Sequence, residues 1–213
     1  MEEKKEEKVT EEIIKNEIDN ISIVPKVEQR TEIRPIDMFG DNYRMATQLA
    51  KSSLLPPTYQ NKPENCIIAL GMSQKIGVDF FTVTQNLNVI KGKTSWSGSF
   101  CRTLIELTGK YKDLNLKYTG TKGTDTYGCY LEATRVSDGE IIKGPEVTMK
   151  MARQENWISN PKWLNLSELM LAYRCQSFFA RIHCPEAMSG VYTSEEMEDL
   201  SNTPNKRVIK DVL

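Results

Sequence analysis

The spacing of apolar residues changes several times along the 213-residue chain, and each spacing predicts an element. Between Pro63 and Gly77 apolar residues recur at helical intervals, and the two bounding residues suit the first turn and the C-terminal cap of a helix. Residues 114–119 and 127–136 alternate apolar and polar positions instead, as antiparallel strands do. On the same grounds, further helices are predicted at residues 41–53, 97–108, 146–155 and 166–182, and a third strand at residues 140–143.

Residues 87–96 predict a β-hairpin whose tip carries two lysines. The strand Leu87–Ile90 is followed by Lys91 and Gly92, and the chain returns through Lys93 towards Trp96. Lysines at a hairpin tip discourage edge-to-edge association of sheets. On the pattern alone, we favour this structural interpretation over a functional one. A protruding basic hairpin with Trp96 on its return arm also suits contact with a nucleic-acid backbone or its bases.

The predicted helix at residues 166–182 is apolar on almost every side, yet it carries Arg174 and Arg181. Asn165 and Glu168 resemble the capping box that opens many helices. Seven residues apart, the two guanidinium groups lie within about 20° of each other around the helix axis. Unpaired charges on so apolar a helix are costly, so both need anionic partners. Either they form ion pairs with acidic side chains or they line a groove that phosphates enter, and the spacing leaves both alternatives open.

We expect an acidic, mobile segment at residues 1–35, a domain at residues 36–200 and a short tail at residues 201–213. Isoleucines at helical spacing in the first segment predict a short amphipathic helix that ends before Pro25. Residues 1–34 hold 7 basic and 10 acidic side chains and residues 186–213 hold 3 and 6, which leaves 18 and 13 for residues 35–185, a net charge of +5. A basic centre is compatible with a polyanion partner despite the overall charge of −1, although acidic ends that keep a protein soluble explain the same numbers.

Reactive side chains give no pattern typical of catalysis. The five cysteines are widely spaced and contain no CxxC pair, which predicts buried free thiols. Neither a GxxxxGK[ST] phosphate loop nor a GxGxxG turn is present. Carboxylates near the predicted strands lack the neighbouring lysine of many Mg²⁺ nucleases, so we interpret them as turn and edge charges: Asp125, Glu132, Asp138 and Glu140. We therefore expect no enzyme activity, metal or cofactor. With no run of 18 apolar residues and no apolar stretch at the start of the chain, we also expect a cytoplasmic protein without a membrane span.

Three blocks of sequence occur in a distinctive order. They are LAKSSLLPPTYQNKPENCIIALGMSQKIGVD at residues 49–79, NLNVIKGKTSWSG at residues 86–98, and KWLNLSELMLAYRCQSFFARIHCPEAMSGVYTSEE at residues 162–196. Together they resemble the RecT family of phage single-strand annealing proteins over about residues 45–200. Ser167 stands where that family commonly has proline and Cys175 where it has alanine, and neither change removes a positive charge.

The resemblance implies an α+β fold, with a β-hairpin and a small antiparallel three-stranded sheet packed with helices around a narrow basic groove. It implies ATP-independent annealing of single-stranded DNA in phage-type homologous recombination, by rings or helical filaments of identical subunits, in a bacterial host. It extends the expected partners to a phage exonuclease and a host single-strand-binding protein. However, the chain ends soon after Glu196, whereas many members continue into the C-terminal region that contacts such partners.

The resemblance also implies positions for DNA contacts. Arg174 and Arg181 match basic helix positions that face phosphates, and the two hairpin lysines match the family's basic hairpin. The candidate DNA-binding residues are therefore Arg174, Arg181, Lys91, Lys93, Gln85, Asn86 and Trp96, and, on charge and neighbourhood alone, Lys150, Arg153 and Lys162. Two other classes stay open: a metal-dependent nuclease that uses the strand carboxylates, and an assembly protein without a DNA role whose arginines pair internally.

Overall fold

The computed structural model describes residues 35–90 and 92–202. The predicted N-terminal amphipathic helix, Lys91 of the hairpin tip and the tail from residue 203 onward lie outside the described residues. Contacts along the chain separate residues 1–41 from residues 42–213. Of the first unit, the structure describes only residues 35–41, which are helical.

Helices and short strands are interspersed along the described chain, which confirms the predicted α+β class. The helices are α1 (Pro35–Leu49), α2 (Pro63–Ile76), α3 (Phe80–Asn86), α4 (Cys101–Leu107), α5 (Met149–Gln154), α6 (Lys162–Asn165), α7 (Ser167–His183), α8 (Pro185–Met188) and α9 (Ser194–Asn202). The strands are β1 (Leu87–Ile90), β2 (Lys93–Trp96), β3 (Tyr111–Thr119), β4 (Gly128–Arg135), β5 (Ile141–Lys143), β6 (Val147–Thr148) and β7 (Tyr192–Thr193). Across residues 35–90 and 92–202 no single helix is long and apolar enough to cross a membrane, and α2 with α3, bent by 111°, meets that test only as a pair, by length and composition.

The strands form two sheets rather than a hairpin and one three-stranded sheet. In the first, β1 and β2 form the predicted hairpin, and β7 lies parallel to β2. In the second, β3, β4 and β5 are antiparallel neighbours and β6 pairs with β4 as a fourth strand. The predicted helix at residues 146–155 is therefore wrong at its start. Thr148 ends β6 and caps α5, since its side chain accepts a hydrogen bond from the Met151 amide at 3.3 Å.

Three other predicted helix starts also differ from the structure. Helix α1 begins at Pro35 and ends at Leu49, six and four residues before the predicted bounds. The helix predicted at residues 97–108 opens with a 3-10 turn, Gly98–Phe100. The predicted capping box at Asn165 is absent: α7 follows Leu166, and no side chain caps it.

Helix α7 covers one face of the four-stranded sheet. Cys175 on α7 lies with its Sγ atom 3.6 Å from that of Cys129 on β4. Gly144 allows the helix to approach, because a Cβ atom there would lie 2.8 Å from the ring of Phe179. All five cysteines are buried and free, as the sequence predicts. The sheet thus has one face in the core. The side chains that alternate with the core residues along each strand lie on its other face.

Candidate nucleic-acid interface

The three sequence blocks meet around the hairpin sheet. Tyr59 of the first block donates a hydrogen bond to the Leu87 carbonyl of the second at 2.5 Å. The indole of Trp96 donates to the Met188 carbonyl of the third block at 3.2 Å. Strand β7, also from the third block, extends the hairpin sheet beside β2. Contacts from the first and third blocks therefore hold the hairpin of the second block in place.

Trp96 is a core residue. Its side chain is 0 % exposed and its ring lies 5.4 Å from that of Phe100, centroid to centroid. A base cannot stack on a ring that no solvent reaches. The structure therefore corrects the interpretation of Trp96 as a base-contacting residue.

Arg174 and Arg181 both make ion pairs within the chain. Arg174 is 5 % exposed, pairs with Asp199 on α9, and places its guanidinium carbon 4.2 Å from the ring centroid of Trp157. Arg181 donates from Nε to Oε1 of Glu196 at 2.9 Å and from Nη2 to Oε2 at 2.5 Å. Of the two alternatives that the spacing leaves open, this is the ion-pair arrangement for both residues. Their charges are compensated by α9 carboxylates, so neither is a free cation on the described surface.

The pKa values of the second pair follow from its geometry. Burial opposes ionisation of Glu196, but the hydrogen bonds from Arg181 and from the Thr193 amide outweigh it and hold the Glu196 pKa below its ordinary value. The hydrogen bond to Glu196 raises the pKa of Arg181 against the effect of burial. Both groups are therefore charged at neutral pH, as a paired arginine and carboxylate should be.

The hairpin places its predicted residues in two different settings. Lys93 on β2 and Gln85 on α3 are exposed, while Lys91 lies outside the described residues. Asn86 is half-buried: its Nδ2 donates to the Thr82 carbonyl at 2.9 Å, and its Oδ1 accepts from the Ser97 hydroxyl at 2.8 Å. Asn86 thus closes the base of the hairpin, whereas Lys93 and Gln85 are available to a ligand.

Lys150, Arg153 and Lys162 are all exposed, but their surroundings differ. Arg153 donates to Oδ1 of Asp125 at 2.7 Å, so its charge is compensated. Lys162 borders a cavity of about 260 Å³ that Glu195 and Glu198 also line, which lowers its attraction for phosphate. Lys150, at the first turn of α5, makes no ion pair with any residue in the described ranges.

The face of the four-stranded sheet opposite α7 carries three more lysines. Lys117 on β3 lies opposite Tyr130 on the central strand β4, and Lys143 on β5 lies opposite Glu132. The register of β3 against β4 shifts between Lys112 and Asn115, where one extra residue forms a β-bulge. Because of this bulge, Lys112 lies on the same face as Lys117, although strict alternation would put them on opposite faces.

We call Lys112, Lys117, Tyr130 and Lys143 the basic sheet face. All three lysines are exposed, and none forms an ion pair within the parts of the chain that the structure describes. Lys143 places its ammonium nitrogen 4.0 Å from the ring centroid of the half-buried Tyr130. Two carboxylates lie near these lysines: Glu132 on β4, and Glu146, which accepts a hydrogen bond from Thr119 on the same face.

Sequence reasoning missed this face, although part of its signal was present. Alternation along residues 114–119 and 127–136 assigns Lys117 and Tyr130 to the polar sides of their strands, and the hairpin turn at residues 137–139 fixes the register of Lys143. Lys112 lies before the predicted strand, and its side depends on a bulge that no local pattern announces.

Asp138 and Glu140 are the turn charges that the sequence predicts, whereas Glu132 lies on the central strand β4, between Asn115 and Lys143, and is not an edge charge. Arg135 pairs with Asp138 at 2.8 Å and with Glu140 at 3.0 Å. In residues 35–90 and 92–202, no group of three or more His, Cys, Asp and Glu side chains is arranged to hold a metal ion. No family model matches the chain, and neither a curated protein nor a solved structure is found to match it.

Proposed function

We propose that the chain is an ATP-independent single-strand annealing protein that binds the DNA backbone on the basic sheet face. The observation that carries this proposal is the grouping of one tyrosine and three exposed lysines, which form no ion pair among the described residues, on the sheet face opposite α7. Aromatic and basic side chains on an open sheet are a recurrent means of holding single-stranded nucleic acid. The ordered sequence blocks that resemble the RecT family point to the same function.

The physical task of such a protein is to reduce repulsion between two complementary strands. Lysines that neutralise phosphates release condensed counterions, so binding should weaken steeply with salt. Contacts to phosphates carry no sequence information and leave base edges free to pair, which annealing of arbitrary sequences requires. The protein then acts by organising the strands, without covalent chemistry.

An oligomer fits this task better than a single protomer. A net charge of +5 over residues 35–185 neutralises only a few phosphates. Identical subunits side by side, in a ring or filament, would continue the basic sheet face along the strand. Exposed Lys93 and Gln85 at the hairpin are candidates for additional backbone contacts.

The proposal is tested by mixing two complementary labelled oligonucleotides with the full chain, in EDTA and without nucleotide, across a salt series. We expect pairing to be faster than without protein, and the acceleration to disappear as salt rises. Equal rates with and without protein at low salt, together with no mobility shift of either strand, would refute it.

One specific observation favours a second candidate, an assembly protein without a DNA role. Arg174 and Arg181, the cations on the apolar helix, are satisfied by internal ion pairs, as that function would require. A mobility-shift assay with single-stranded DNA distinguishes the two functions. An annealing protein should give a salt-sensitive shift, whereas an assembly protein whose arginines are paired internally should give none.

A further inference from the structure

Tyr130 occupies the centre of the basic sheet face. It lies on β4, with Lys117 directly opposite on β3 and β5 on the other side. We propose that Tyr130 is a stacking platform for one base of a bound single strand, while Lys117 and Lys143 hold the phosphates on either side of that nucleotide. This inference rests on the proposed function and names the ligand group that each side chain of the face would contact.

The contact between Lys143 and Tyr130 carries the argument. The ammonium nitrogen lies over the ring at 4.0 Å from its centroid, so one electron-rich face of the ring is directed to the side on which Lys143 lies and is occupied by that side chain. Lysine has a flexible four-carbon stem, and Lys143 is exposed. A base can therefore replace the ammonium group above the ring, and the ammonium group can move to a phosphate of the same strand.

The two flanking lysines are suitably spaced for this arrangement. Adjacent strands in a sheet are about 4.8 Å apart, so the backbones of β3 and β5 lie roughly 10 Å apart, on either side of β4. Long lysine side chains on the two outer strands then reach phosphates on both sides of a nucleotide that lies over the central strand. Glu132 lies directly opposite Lys143 and repels phosphates, so Lys143 would hold a phosphate with its side chain directed away from Glu132.

Stacking on Tyr130 is compatible with annealing. A stacked base presents its face to the ring and keeps its pairing edge free, so a second strand can still pair with it. The platform therefore favours single strands over duplexes, because bases inside a duplex are already stacked on their neighbours.

The test compares a short oligothymidylate with an abasic oligonucleotide of the same length, by fluorescence anisotropy with the full chain. Removing the bases keeps every phosphate and deletes only the stacking partner. We expect the wild-type chain to bind the oligothymidylate at least ~5-fold more tightly than the abasic strand. Tyr130→Leu should abolish that preference and Tyr130→Phe should keep it, since phenylalanine preserves the ring.

A matched control lies on the same sheet. Tyr118 on β3 is also exposed, but it lies opposite Cys129, on the other face from Tyr130. Tyr118→Leu should keep the preference for bases, and thermal melts verify that each variant is folded. Equal affinity of the wild-type chain for the two oligonucleotides, or an unchanged preference in Tyr130→Leu, would overturn the stacking inference alone. Failure of the wild-type chain to bind either oligonucleotide would overturn the proposed function and this inference with it.

Discussion

Arg181 on α7 and Glu196 on α9 form a two-hydrogen-bond ion pair at the boundary of the protein core. The Glu196 side chain is 10 % exposed and that of Arg181 is 31 % exposed. Oε2 of Glu196 also accepts from the Thr193 amide at 2.8 Å, and the Glu196 amide donates to the Thr193 hydroxyl at 3.2 Å. These two reciprocal hydrogen bonds form a capping box at the first turn of α9. The Glu196 carboxylate therefore both caps α9 and binds it to α7 through Arg181.

The first prediction concerns the stability that this pair provides. Arg181→Ala leaves Glu196 as a nearly buried charge without its cation, and removal of one partner of a buried pair costs roughly 3 kcal/mol. We expect that loss in the free energy of unfolding, measured by urea denaturation. The control is Arg102→Ala on α4, which breaks an exposed pair with Glu106 and should cost less than about 1 kcal/mol. Equally small losses in both variants would contradict the structural role of Arg181.

The second prediction is a pH dependence. The Glu196 pKa is held below its ordinary value of 4.5 in the folded chain, so its ionised form stabilises the fold fully above pH 4.5 and loses that effect as pH falls through the lowered pKa. The free energy of unfolding of Glu196→Gln should therefore be lower than that of the wild-type chain at neutral pH. The difference should narrow below pH 4.5. A difference that stays constant down to pH 3 would show that Glu196 acts through packing rather than charge.

The third prediction separates core from ligand contacts at Trp96. Trp96→Phe removes the hydrogen bond to the Met188 carbonyl and leaves a small cavity, which together cost about 1–3 kcal/mol. The affinity of the folded variant for single-stranded DNA should not change, because the ring is not at the surface. Unfolding curves and anisotropy titrations below the melting temperature measure the two effects. Weaker DNA binding with unchanged stability would restore the base-contacting interpretation.

The sequence predicts elements well where periodicity and turn residues agree. Pro63 and Gly77 bound α2 as expected, because proline suits a first helical turn and Gly77 adopts the left-handed conformation at φ 72°. The hairpin β1–β2 also forms with the expected residues. Local patterns failed where tertiary contacts decide, as at Val147, whose pairing with Cys129 converts the start of a predicted helix into β6.

Capping motifs also show that a local sequence pattern does not decide where a helix is capped. Asn165 and Glu168 match the capping-box spacing, yet α7 begins without a side-chain cap, while Thr193 and Glu196 form the box at α9. The sequence cannot distinguish the two, because the second is stabilised by Arg181, fifteen residues earlier in the chain.

The candidate site shows the physical reason that motif residues can mislead. Arg174 is prominent in the sequence because its surroundings are apolar, but an apolar setting is where an internal partner is most needed, and Asp199 supplies it. Lys112 and Lys143 are inconspicuous in a chain with 28 basic residues. Only the register of the folded sheet brings them to one face.

The most direct test of nucleic-acid binding on the basic sheet face is the salt dependence of affinity for single-stranded DNA. The test variant replaces Lys112, Lys117 and Lys143 with glutamine, and the control replaces Lys51, Lys62 and Lys75, three exposed lysines of the α1–α2 region. Each lost phosphate contact lowers the slope of log affinity against log salt by about 0.7, so the test variant should lose about 2 from that slope. The control should keep the wild-type slope. If the test variant instead keeps the wild-type slope, as the control should, the sheet face holds no phosphates and is not the binding surface.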